Sequence, residues 1–143
     1  MTWRRDGVLA GLVAWPLSEL PSAVDHLRSG RPWWSTDAAA ATLVVPAAWP
    51  AGRRRLVGTV LRGAVAVNWG VVLSRWLDRR RPVLHGALAG LALAAFEYGL
   101  VGRRRPIVRA LPAWPQVADQ VVFGTVAGAV LAVRRRRRCK TLR

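Results

Sequence analysis

Cysteine, histidine and acidic residues are scarce in this sequence, and each scarcity removes a class of function. One cysteine, Cys139, allows neither an intrachain disulfide nor a CxxC metal or redox site. The two histidines, His26 and His85, stand alone near the ends of apolar stretches, with no second ligand at metal spacing. Motifs of the forms G-x-S-x-G, P-loop, strand-borne G-x-G-x-x-G and H-E-x-x-H do not occur. Ser18, Ser22, Ser35 and Ser74 lack a histidine and acid to activate them, which argues against an intramembrane hydrolase. The expectation is a non-enzymatic protein with no cofactor and no metal.

Seven acidic residues face 23 basic ones, for a formal net charge of +16. A soluble nucleic-acid binder would spread such charge along one face. Here it is clumped into the arginines at 53–55, 79–81, 103–105 and 134–138, separated by apolar blocks. That is the pattern of membrane spans between basic loops. Anionic lipid headgroups, rather than nucleic acid, are the expected counter-charge, with Arg134, Arg135, Arg136, Arg137 and Arg138 the main contact.

Residues 7–27 are enough to cross a hydrocarbon core of about 30 Å at about 1.5 Å per residue. Pro16 and Pro21 predict a kink there, because each removes a backbone donor. A cleaved signal peptide is the alternative, against which no A-x-A site follows. The polar stretch 28–37, with Trp33 and Trp34, suits the headgroup level. Residues 37–49 follow a Ser35-Thr36-Asp37 cap signal but are too short to span and are interrupted by Pro46, so they predict an interfacial or re-entrant helix. Residues 56–77 form the second span. The short turn through Arg79 to Pro82 predicts that the third span, 83–102, returns antiparallel beside it. Residues 116–133 form the fourth, before a basic tail at 134–143. The eight tryptophans fit this scheme, with Trp49 and Trp114 at one interface, Trp3 and Trp76 at the other, and Trp15 and Trp69 packing in mid-span.

The chain also repeats itself. Residues 46–67 and 112–133 carry the same Pro-Ala, Trp-Pro, Gly-Thr-Val and Gly-Ala-Val signposts in the same order, and Leu9-Ala10-Gly11 is echoed by Leu88-Ala89-Gly90. The expected fold is therefore an all-α integral membrane domain over 1–143. Its four transmembrane helices form a 2+2 parallel repeat, with halves at 1–78 and 79–133, and the short interfacial segment is inserted after the first span.

Gly7 and Gly11, Gly86 and Gly90, and Gly124 and Gly128 are each four residues apart, and Gly63 and Gly70 share a stripe with Thr59 and Ser74. Such small-residue faces let helix backbones approach closely in lipid. Glu97 shares a face with Gly86, Gly90 and Leu93. A carboxylate inside a span is costly and marks either a buried pair, with Arg62 or the arginines at 103–105 as partners, or an ion pathway. Glu19 is its counterpart in the first half, so Glu19, Glu97 and Arg62 are the candidate pathway residues. Asp119 and Gln120 open the last span, where an acid caps the helix dipole.

Trp15-x-x-x-Glu19-x-Pro21 and Gly86-x-x-Ala89-Gly90 resemble the YagU-type family of small bacterial inner-membrane proteins. The resemblance implies a multi-pass inner-membrane protein of undetermined biochemistry and supplies no catalytic residue. With four spans, twelve basic residues fall on one side and nine on the other, which puts both termini in the cytoplasm. Two functions are expected. One is association with itself or a larger membrane partner through the glycine seams. The other is a small oligomeric proton- or cation-coupled transporter or channel using Glu97 and Glu19.

Overall fold

A computed structural model describes residues 2–30, 35–78, 80–101 and 110–141, with Pro32 and Arg103 between them. Trp33, Trp34, Arg104 and Arg105 lie outside the described residues. All regular structure among the described residues is helical: α1 (Thr2–Ser18), α2 (Leu20–Ser29), α3 (Ser35–Ala41), α4 (Ala51–Trp76), α5 (Pro82–Phe96), a π-helical turn (Glu97–Val101) and α6 (Ala113–Thr141). Four helical stretches are long and apolar enough to cross a membrane: Trp3–Ser29, Ala51–Trp76, Pro82–Leu100 and Ala113–Cys139.

Prolines and one glycine set the helix boundaries. The expected kink falls at Glu19, which stays right-handed (φ −84°, ψ −6°), so the chain bends there without reversing. Pro21 sits in the first turn of α2, where its missing N–H does least harm, and Gly30 ends α2 with φ 67°. Pro50 immediately precedes α4, Pro82 opens α5 and Pro115 lies in the first turn of α6, so the Trp49-Pro50 and Trp114-Pro115 pairs mark helix starts, whereas Trp15-Pro16 lies within α1.

Two boundaries differ from expectation. The helix expected over 37–49 begins at Ser35 and ends at Ala41, after which the chain runs on in turns; Pro46 supplies no donor to continue it. The basic tail is not separate from the last span, because α6 continues through all five arginines to Thr141. Arginine is a good helix former, and nothing in that stretch interrupts the backbone ladder.

The helices stand in a bent row, in the order α4, α1, α6, α5, with neighbours antiparallel. α2 lies on α6 and α3 on α4. The turn between α4 and α5 does not bring those helices together: α5 packs along α6 and makes no interface along α4, contrary to the expected hairpin. The glycine faces decide this. A methyl at Gly86 or Gly124 would collide with the other's backbone, one at Gly90 with Gln120, and one at Gly128 with Pro82. Gly7, Gly11 and Gly70 hold α1 against α4 in the same way, with Ala66 and Val67 in the contact. All eight seam glycines are thus occupied within the chain, and Gly63 lies under the Trp15 ring.

The two pairs use different registers. Carried over from Gly86 on Gly124 and Gly128, the sequence echo would set Gly7 on Gly58 and Gly63; it lies on Gly70 instead, about two to three turns away. Gly58 is already covered by the backbone of Asp37 in α3, and Gly63 by Trp15. The core, with Ala10, Ala14, Ala66, Leu73, Phe123, Ala127 and Leu131, fills the space where α1, α4 and α6 meet.

The start of α1 and the end of α6 lie together. Asp6, 4% exposed, accepts from Arg134 Nε (3.0 Å) and pairs with Arg138 Nη2 (2.7 Å). Arg135 Nη2 donates to the Ser74 carbonyl (3.2 Å) in the last turn of α4. These three arginines therefore lock helix ends together, a role their sequence position beside lipid headgroups does not suggest. Trp76 and Trp114 are the most exposed tryptophans described, at opposite ends, while Trp15 and Trp69 pack against the core as expected.

Candidate functional site

Because α4 and α5 stay apart, the inner side of the bent row is hollow. A cavity of about 450 Å³ lies there, bounded by α4 (Leu61, Arg62, Val65, Trp69), α5 (Leu93, Phe96, Glu97), α6 (Gln116, Asp119, Gln120, Phe123), α1 (Trp15) and the α3 region. Its volume is within the range of about 300–1,000 Å³ typical of ligand sites, and its walls are mainly apolar with a few convergent polar groups. Toward the α3 end, those groups gather around Arg62.

Arg62 is held on one side. Its Nη1 meets Asp37 Oδ1 at 2.8 Å and its Nη2 meets Glu19 Oε1 at 3.3 Å. Asp37, 5% exposed, takes a further bond from Thr59 Oγ1 (3.1 Å). The expected cap residue of α3 is thus a buried counter-ion that fastens α3 to α4. Glu19 reaches Arg62 because the chain breaks beneath it.

Asp119 also departs from its expected role. It lies in the second turn of α6, too far along to cap its own helix. Its Oδ1 accepts the Ser22 backbone N–H (3.0 Å) and its Oδ2 accepts the Ser22 hydroxyl. Ser22 is the first residue of α2 after Pro21, so Asp119 caps α2 from a neighbouring helix. Gln116 Nε2 adds a bond to Ser22 Oγ (3.3 Å).

Glu97 opens the π-helical turn, a feature often found at functional sites. It is bonded by Gln120, Nε2 to Oε2 at 2.8 Å. Among the described residues its bonded partner is therefore Gln120 and not Arg62, although Arg62 faces the same cavity; the expected alternative partners Arg104 and Arg105 lie outside the described residues. Glu19 is bonded to Arg62, whereas Glu97 lines the same cavity as Arg62 without bonding to it. His85 lies 3.5 Å from Asp78 at the other end of the row, and His26 is not part of the site. Among the described residues no group of three His, Cys, Asp or Glu could hold a metal ion.

Sequence reasoning singled out Glu19, Glu97 and Arg62 but missed Asp37 and Asp119 as members of the cluster. The signal present was their depth: Asp119 lies inside an apolar stretch, as Glu97 does, and deserved the same reading. Family models, curated proteins and solved structures show no match to this chain.

Proposed function

We propose that this chain is a non-enzymatic carrier or channel for protons or other cations in a bacterial inner (plasma) membrane, with Glu97 at its centre. The observation that carries the reading is the cavity within the spans, with a carboxylate on its wall that no arginine pairs among the described residues. Arg62 is a fixed polar group on that cavity's wall, held by Glu19 and Asp37, and Glu19 acts through Arg62 rather than on the cation. The parallel 2+2 repeat belongs to this reading: each half supplies one antiparallel, glycine-sealed pair, and the cavity lies between the pairs. Both termini are assigned to the cytoplasm, supported by the helical arginine cluster at the shared end of the row.

The test is ion flux into vesicles reconstituted with the purified protein. Wild-type protein is expected to pass protons or monovalent cations, and Glu97→Gln to abolish this. Absence of flux in wild type, or equal flux in the variant, refutes the reading.

A second reading, association with further copies or a larger membrane partner, is supported by the open row. Helices α4 and α5 each leave a flank unmatched, and another chain would close it. The glycine seams do not support it, since they are filled internally. Crosslinking in native membranes that returned only monomer would exclude it.

A further inference from the structure

We infer that the cavity binds lipophilic organic cations, with Glu97 as their counter-charge and Trp15, Trp69, Phe96 and Phe123 around their apolar body. This names a ligand class for the carrier reading and rests on it for transport, though not for binding. Each charged group at the cavity has been accounted for but one. Arg62 is committed through both terminal nitrogens to Asp37 and Glu19, so among the described residues that line the cavity no cation remains to attract an anion. Both oxygens of Asp119 are taken by Ser22. Glu97 accepts a single bond from a neutral amide, on Oε2, and its Oε1 has no hydrogen-bond partner among the described residues. A half-buried carboxylate within an apolar helix is costly in that state, and a ligand bringing positive charge lowers the cost.

The walls decide which cation. An inorganic divalent ion takes six or more oxygens, and among the described residues no three His, Cys, Asp or Glu side chains are placed to share one. Aromatic faces, by contrast, attract organic ammonium or phosphonium groups and cover apolar substituents at the same time. Four aromatic side chains line this cavity, with Leu61, Val65 and Leu93 between them. About 450 Å³ leaves room for a body of drug size. A neutral lipid chain would fill the same space but leave Glu97 unpaired.

The probe is tetraphenylphosphonium, titrated into the full-length protein in nanodiscs of zwitterionic lipid and followed by tryptophan fluorescence. Tetraphenylborate, of the same shape and opposite charge, serves as competitor. Saturable phosphonium binding without competition by the borate is expected. Glu97→Gln preserves the Gln120 bond and so should fold, yet it should weaken binding about tenfold or more, while Glu97→Asp retains most of it. Phe123→Ala should weaken binding several-fold. Equal binding by wild type and Glu97→Gln, displacement by the borate, or no saturable binding overturns the inference. Glu97-dependent flux of small cations without phosphonium binding also overturns it and leaves the carrier reading intact. Phosphonium binding without any flux supports the inference and removes the carrier reading instead.

Discussion

Replacing Arg62 by leucine should destabilise the protein by an amount set by Asp37, not by Glu19. Arg62 neutralises both, but their surroundings differ: the Asp37 side chain is 8% exposed and that of Glu19 39%. Once the guanidinium is gone, Glu19 turns to water or headgroups at a cost of about 0–1 kcal/mol. Asp37 keeps only the Thr59 hydroxyl and becomes a buried charge without a counter-ion, for which the cost is about 3–5 kcal/mol. Adding Asp37→Asn removes that charge while keeping an acceptor for Thr59, so the double variant should recover most of the loss. A coupling of about 2 kcal/mol or more between the two sites is expected. The assay is an SDS titration of the four proteins in mixed micelles, read by far-UV circular dichroism, with hydrogen exchange at α3 as a second readout. In Arg62→Leu, α3 should exchange faster than α5, since Asp37 is what fastens it to α4. An Arg62→Leu protein within about 1 kcal/mol of wild type refutes the reasoning. So does a double variant whose loss equals the sum of the singles.

At the α5–α6 seam, Gly124→Val places a branched side chain where the Gly86 backbone lies and should cost about 1–3 kcal/mol or more, whereas Gly52→Ala, with nothing within 4 Å, should change stability by less than about 0.5 kcal/mol; the same SDS titration compares them. Cys139 is exposed at the end of α6, so an impermeant maleimide should label it only after cells are permeabilised if both termini face the cytoplasm. Labelling of intact cells would place that end outside and reverse the orientation. Asp6→Asn removes the negative charge shared by Arg134 and Arg138 and leaves one acceptor oxygen for the two, and amide exchange over residues 134–139 should quicken about tenfold, corresponding to a loss of about 1.4 kcal/mol in local stability.

Much of this architecture is legible in the residues alone. Apolar length specifies four helices able to cross a membrane, proline and Gly30 specify where helices begin, bend and stop, and the four-residue spacing of glycine specifies which faces pack. Gly86, Gly90 and Leu93 are buried on the face that also carries Glu97, as helical periodicity requires. Periodicity, however, identifies a face without saying which helix meets it. Only the tertiary structure decided that the glycines of α5 close on α6 rather than α4, leaving a cavity between two helices joined by a five-residue turn. The partners of the charged groups were hidden for the same reason. Asp119 caps a helix 97 residues away in sequence, and Asp37 meets Arg62 at a separation of 25, distances at which no local spacing rule operates. Composition placed carboxylates within the spans; the cost of leaving a buried charge or helix end unpaired determined which of them became structural, and left Glu97 facing the cavity.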